Sequence, residues 1–520
     1  MPASAAAAEL AQLKEPFSAI MVVVTKPLPV TEKRLMTRAT ERAPVATTTP
    51  QSFLQCLGYF LTPQVWKQAH QAVPPRRSWR WQTQPLLFVL LAMTWCAGDS
   101  LPERFETARA CYVALHQRRR RPGKTFAGFE KALGQLPMPV LRAVATAVRG
   151  RLAQVFAQRW WVDGFIPLGC DGSRLACPRS QELERRLHLG QKPKRRKRKK
   201  PAAAACPPTP AEPGRDTAKT RAAGTPQLWV TAVLHLGLGV LWSWRLGGGA
   251  ASEREHLRLL LATLPRGALL VADAGYVGYE LMAALQAAGV AFLLRLSSRA
   301  PLYVPDKSAL KKYREGLVYY WPYQVQKKDM PPLVVRLWRV RGGKGDVWLL
   351  TNVLDEDRLP RRTAGKFYRW RWRNEGLFRA YKRTLGKVKL MSRTVVQVHR
   401  EAEGSLLASQ LLLAQGALAQ PPKATGQAVP PSCRKVLLEI RAEIRNVTGM
   451  YLGPRQATSY FERLARAHWR ERRQRSNKVR RRWPGRQDHK PPGPPKILKM
   501  GTILKDKAAK TLAMAKPCNC

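Results

Sequence analysis

Three acidic residues occupy settings suited to chemistry. Asp171 lies in Gly-Cys-Asp-Gly-Ser (169–173) and Asp273 in Val-Ala-Asp-Ala-Gly-Tyr (271–276), each within or at the end of a strand-like run. Glu375 lies in a helical stretch with Tyr368, Arg371 and Lys382. On a regular helix these four fall at about 0°, −60°, −20° and −40°, a single narrow stripe. Phe367, Phe378 and Leu385 form an apolar flank on one side, and Arg379, Arg383 and Lys387 a basic flank on the other. Such a helix, docked by its apolar flank, would present a carboxylate to the core edge and cations to a phosphate backbone. Taken alone, the stripe also fits an ordinary amphipathic helix with a surface Glu–Lys network, and an acid at a strand end is more often a turn or cap residue.

Other groups carry less. Asp163 also precedes a glycine but stands before the strand. Gly123-Lys124-Thr125 resembles the end of a phosphate loop, yet position 118, where that motif needs glycine, is Arg118. His188, His235 and His256 form no metal-binding pair and read as core or surface residues. Ser173 has no partner for nucleophilic work at a readable spacing. Nine cysteines in 520 residues are too few for a disulfide scaffold and predict a reducing compartment. Cys170 and Cys177 lack companions at zinc spacing.

The elements that must position these acids follow from periodicity. Strands are expected at 166–175, 228–236, 240–246, 268–273 and 290–296, with Gly237 and Gly239 turning a hairpin. Ser252 and Glu255 predict a capping box on the helix through Leu264. A long helix is expected over 363–385 and a second, very apolar one over 395–416. Residues 301–350 carry strand signals. Ahead of all this, residues 50–160 show helical stripes, including Phe53, Leu57 and Phe60, then Leu86 to Trp95, which is too short to span a bilayer.

The resulting organisation is a disordered leader at 1–49, a helical DNA-binding domain at 50–160, and an α/β catalytic domain at 161–300 and 351–416. A β-rich insertion at 301–350, a helical segment at 430–465 and a basic tail at 466–520 complete it. A disordered basic insertion is expected at 190–226, where eight of the ten residues from Gln191 to Lys200 are Lys or Arg. The start, MPASAAAAELAQLKEPF, shows no secretory pattern. With 91 basic and 34 acidic side chains, the net charge of +57 calls for a polyanionic partner, nucleic acid first. The tail adds ten basic residues and one acid between Arg466 and Arg486, with Trp469 and Trp483 interleaved.

Together these segments resemble bacterial DDE transposases of the insertion-sequence-four type. The resemblance rests on the ungapped spacing Tyr368-(2)-Arg371-(3)-Glu375-(6)-Lys382, on GCDGSRLACP and LLVADAGYVGYEL around the two aspartates, and on LMSRTVVQVHREAEGSLLASQLL after the helix. It covers about residues 160–415. It implies a ribonuclease H-like mixed sheet flanked by helices, and Asp171, Asp273 and Glu375 as catalytic ligands of Mg²⁺, with Mn²⁺ as substitute and two ions in all. Two such ions about 3.5–4 Å apart would serve the attacking and leaving oxygens of phosphodiester cleavage. Tyr368, Arg371 and Lys382 would bind DNA. The implied partners are double-stranded DNA (transposon inverted repeats and target DNA) and a second copy of the chain, in a bacterial, nucleoid-associated cytoplasmic setting without a membrane. Some relatives hold a flipped base on a tryptophan of the β insertion; here Trp321, Trp338 and Trp348 are available. A related nuclease or resolvase on the same fold, or a non-catalytic DNA-binding derivative, stays open beside this reading.

Overall fold

Residues 50–72, 80–117, 121–188, 225–297, 300–306, 310, 315–342, 345–420, 430–449, 458–468 and 493–514 are described by the computed structural model. The expected leader, nearly all of the basic insertion at 190–226, Arg118 to Arg120, Trp469 and Trp483 lie outside the described residues.

The chain opens with helices α1 (Phe53–Phe60), α2 (Pro63–Ala72), α3 (Thr83–Trp95), α4 (Leu101–Leu115), α5 (Phe126–Gln135), α6 (Met138–Val155) and α7 (Ala157–Trp160). Capping boxes at Ser52–Gln55 and Ser100–Glu103 start α1 and α4, satisfying amide donors that the first helical turn leaves open. Then come β1 (Ile166–Ala176), α8 (Gln181–Arg186), β2 (Gln227–His235), β3 (Val240–Gly248), α9 (Glu253–Leu260), β4 (Ala268–Ala272), α10 (Tyr279–Ala287) and β5 (Ala291–Arg295). Next are β6 (Leu302–Val304), β7 (Gly316–Tyr320), α11 (Tyr323–Lys327), β8 (Leu333–Gly342) and β9 (Gly345–Thr351). The rest comprises α12 (Arg361–Trp370), α13 (Trp372–Arg379), a π-helical turn (Ala380–Thr384), α14 (Val395–Ala419), α15 (Cys433–Val447), α16 (Tyr460–Ala465), β10 (Ile497–Lys499) and α17 (Thr502–Met514).

The ten strands among the described residues join one sheet in the order β10-β6-β7-β8-β9-β5-β4-β1-β2-β3. Its core is β3-β2-β1-β4-β5. There β1–β2 and β2–β3 pair antiparallel, while β1–β4 and β4–β5 pair parallel. That mixed five-stranded pattern, flanked by helices, is the ribonuclease H-like arrangement. β4 is buried along its whole length, as expected of a central parallel strand covered on both faces.

The strand signals at 301–350 fall on β6 to β9, and β9 pairs with β5, so this stretch extends the core sheet. One organisational expectation changes. Residues 466–520, read as a tail, supply an edge strand, β10, parallel to β6, and the helix α17. The helix α14 is buried along most of its length and packs on α3 and β3. It passes α3 so closely at Gly404 that a Cβ there would stand 2.6 Å from the Leu90 side chain. Among the described residues no helix is long and apolar enough to cross a membrane.

Candidate active site

One face of the core sheet carries a cluster of Leu234, Leu269, Val271, Leu293 and Leu349, closed by Ala364, Phe367 and Tyr368 of α12. The acids open onto this face. Gly169 on β1 faces α13 so tightly that a Cβ there would lie 2.4 Å from Asn374 Nδ2 and 2.6 Å from Leu236. Strand alternation puts Asp171 on the same side. Gly169 stands opposite Val271. The β1–β4 pairing ends there, and Asp273 follows β4 two residues on, its charge felt at Asp171.

Glu375 comes in from α13, and its arrival corrects the expectation of one continuous helix over 363–385. The hydrogen-bond ladder is interrupted at Arg371, whose backbone stays helical, and the segment widens into a π turn at 380–384. The regular angular stripe therefore holds for Tyr368, Arg371 and Glu375, and the π turn carries Lys382 out of it. Arg373 anchors the segment to the sheet. Its guanidinium reaches the carbonyls of Leu236 and Gly237 in the β2–β3 turn, stacks on Trp370, and has its pKa pulled down to about 10 by burial.

Tyr368 donates to Asp273 Oδ1 at 3.4 Å, and Arg295 Nη1 lies 3.6 Å from the same oxygen. Arg371 Nη2 lies 3.4 Å from Glu375 Oε1, and its guanidinium stands over the rings of Tyr368 and Trp372. Burial raises the Asp171 pKa first; the Gly172 amide and Arg371 oppose this, while Glu375 and Asp273 add to it. Burial raises the Tyr368 phenol and Asp273 adds to it. For Arg371 burial pulls down, but Tyr368, Asp273 and Glu375 carry its pKa above the ordinary value. Five of the six predicted residues thus share one electrostatic neighbourhood. Lys382 stands apart in the π turn, its pKa lowered by burial, with no ion-pair partner among the described residues.

The basic flank needs a second correction. Arg379 and Arg383 are exposed, but Lys387 is buried and paired to Glu401 of α14 at 2.8 Å. The three tryptophans of the β-rich stretch are buried too: Trp321 donates to the Met330 carbonyl, and Trp338 and Trp348 lie in the apolar packing. None of them offers a face for a base as the protein stands. Asp163 has a structural use, at positive φ in a turn and tied to Thr363 and Lys366. His235 is buried and neutral, pulled down to about 4 by burial, accepting from the Leu238 amide and bonded to the Trp160 carbonyl.

Sequence reasoning missed two side chains. The expected Ser252–Glu255 box does not form, since Ser252 makes no side-chain cap bond. Instead Glu253, the first residue of α9, turns in over Gly172, where a Cβ would meet its Oε1 at 2.7 Å. Burial raises its pKa, and the charge of Asp171 adds to this. Cys170 donates to Tyr276, which in turn hydrogen-bonds Glu253. The Gly after Asp171 was the available signal. The other is Asn374, 1% exposed with both amide atoms unpartnered, wedged against β1 beside Glu375. Asn374 stands between Arg373 and Glu375 in a polar run, so nothing local marks it as buried.

Asp171, Asp273 and Glu375 are an all-oxygen set suited to Mg²⁺, and the mutual repulsion recorded at Asp171 is what a divalent cation relieves. They are not gathered in advance: among the described residues no three His, Cys, Asp or Glu side chains are arranged to hold an ion. Arg295 and Arg371 now balance two of the three.

Comparison with known proteins bears on the class. Residues 189–411, which are 223 of 520, match the family model described as Transposase DDE domain. That stretch includes Asp273 and Glu375 and begins after Asp171. A piggyBac transposase synaptic complex with hairpin DNA, solved by cryo-EM, covers 80% of this chain and 85% of its own at 12% identity and a TM-score of 0.37. So low a score adds nothing to the fold, which rests on the strand order. A search of curated proteins gave no match. Over the matched residues the chain is similar to DDE transposases.

Proposed function

We propose that this protein is a metal-dependent DNA transposase of the insertion-sequence-four type. What supports the reading is that Asp171, Asp273 and Glu375 stand on β1, at the end of β4 and on α13 of a ribonuclease H-like sheet, close enough that the charges of Glu375 and Asp273 raise the Asp171 pKa. The +57 charge makes DNA the natural substrate. Asp171, Asp273 and Glu375 would hold the Mg²⁺ ions, or Mn²⁺ in their place. Bound there, such ions supply charge neutralisation at a phosphodiester and activation of the attacking oxygen.

The chain's own residues do the rest. Tyr368 and Arg371 orient Asp273 and Glu375, and Arg371 offers its guanidinium edge to a phosphate, while Lys382 acts as a point charge. Water attacks the phosphorus at each transposon end, and the P–O bond to the 3′ oxygen breaks to leave a 3′-OH. That 3′-OH then attacks a target phosphorus: one P–O bond forms, another breaks, and its proton passes to solvent. Two ends joined in one event call for two active sites, hence a homodimer on DNA, in the cytoplasm of a bacterial cell.

The arginines beside Asp273 and Glu375 favour one second reading, a DNA-binding derivative that no longer turns over. Strand transfer separates the two. Purified protein, Mg²⁺, pre-cut duplex ends from the gene's own flanks and a supercoiled plasmid should give plasmid joined to those ends. Cutting without joining would indicate a nuclease or resolvase, and bound DNA with neither product the inert derivative.

A further inference from the structure

Away from the carboxylates, α12 and β8 enclose a cavity of about 410 Å³ walled by Arg339, Arg341, Arg361, Arg362 and Arg369. Its floor is Gly365, where a Cβ would stand 3.1 Å from Val340, so the glycine lets the helix lie close on the strand. Two of the arginines are committed. Arg339 pairs with Asp346, and Arg361 with Glu315, which is buried and also accepts the Arg339 amide. Arg341, Arg362 and Arg369 are exposed and have no ion-pair partner among the described residues.

That arrangement is costly without an anion. Arg361 and Arg362 occupy the first turn of α12, which carries no acid, although the positive end of a helix dipole disfavours cations. Arg362 and Arg369, seven residues apart, project from nearly the same side of the helix. Their guanidiniums and that of Arg341 converge from two elements on a space too open for a small buried ligand and suited to passing phosphates, which guanidinium groups bind bidentately. The rise of about 1.5 Å per residue puts the backbones of Arg362 and Glu375 about 20 Å apart along the helical path of α12 and α13. At 3.4 Å per phosphate of one strand, that is about six base pairs.

We infer that this arginine-walled cavity is a binding site for the sugar–phosphate backbone of duplex DNA, holding the double helix within about six base pairs of the cut. The inference rests on the proposed function for the distance to a cut, but its test does not need catalysis.

The test is the salt dependence of binding by the full chain to a fluorescein-labelled duplex, read by anisotropy. Each phosphate contact contributes about 0.9 to the slope of log K against log salt. Arg341→Ala with Arg362→Ala and Arg369→Ala should lower the slope by about 2.7 and weaken binding on the order of 10²-fold at 0.1 M salt. The same three positions changed to Lys should keep most of the slope. Arg341→Ala and Arg369→Ala alone should each lower it by about 0.9, which covers the event that the triple variant folds poorly. A wild-type slope in the folded alanine variants overturns the inference and leaves the proposed function standing. Failure of the wild-type chain to bind any duplex would sink both.

Discussion

Replacing Lys387 by Met tests where the basic flank of the Glu375 segment points. Lys387 Nζ lies 2.8 Å from Glu401 Oε1, with the two side chains 4% and 8% exposed. The other Glu401 oxygen accepts the amides of Met391 and Ser392, both at 2.9 Å. Although burial pushes the Glu401 pKa up, Lys387 and these amides bring it below the ordinary value. Removing the lysine strands a buried carboxylate, which costs about 3–5 kcal/mol. The variant can escape by protonating Glu401. From an unfolded pKa of about 4.3, that costs about 3.5 kcal/mol at pH 7 and about 1 kcal/mol at pH 5.

The two routes agree on a loss of about 3–4 kcal/mol at neutral pH. The sign with pH follows. In the wild type the depressed pKa of Glu401 gives stability present above about pH 4.3 and lost as pH falls through the folded value. In the variant the folded pKa is raised, so stability falls as pH rises. The difference must therefore grow from pH 5 to pH 7. Urea unfolding at both pH values measures it, and adding Glu401→Gln should restore most of the loss. A cost below about 1 kcal/mol at pH 7, with weakened DNA binding, would return Lys387 to the surface and refute the reasoning.

Other expectations follow from the site. Asp171→Asn should raise the melting temperature of the metal-free protein at pH 7. The raised Asp171 pKa means that ionising it costs stability as pH climbs from about 4 through its folded value; an equal or lower melting temperature would contradict this, and activity should be lost in either case. Gly169→Ala should cost about 1–3 kcal/mol by overpacking against Asn374 and Leu236. It should also depress cleavage by displacing α13, so full activity in a destabilised protein would separate packing from site geometry. Gly172→Ala would press a Cβ against Oε1, Cδ and Cγ of Glu253, 2.7–2.8 Å away, so that side chain must swing aside. It should shift the pH profile of activity, and an unchanged profile would show that Glu253 has no part in it.

Much of the core sheet was legible because β2, β4 and β5 are apolar runs ended by turn residues and Asp273 directly follows β4, whereas Asp171, expected at a strand end, stands in the middle of the 11-residue β1. The Glu375 segment was legible in composition but not in shape. Phe367, Phe378 and Leu385 do pack inward. The π turn follows no pattern in the apolar spacing, and the anchor of Arg373 on carbonyls of the β2–β3 turn is a contact more than a hundred residues away that local periodicity cannot register. Lys387 looked like a surface cation because its partner, Glu401, sits on another helix. Glu253 was hidden behind a capping pattern that the backbone does not use. The pairing of β9 with β5, which merges the 301–350 strands into the core sheet, is a long-range choice that alternation alone leaves undecided.

The central claim is that Asp171, Asp273 and Glu375 act together on DNA. Its most direct test is the mapping of 3′ ends on a fragment carrying the gene's own flanks, incubated with Mg²⁺ or Mn²⁺ and purified protein. Wild type, Asp171→Asn, Asp273→Asn and Glu375→Gln would be compared at equal DNA occupancy. The account predicts discrete cuts at matched inverted ends with the wild type and none with any of the three variants. Cuts that persist in Glu375→Gln, or a wild type that binds these ends without cutting them under either metal, would contradict it.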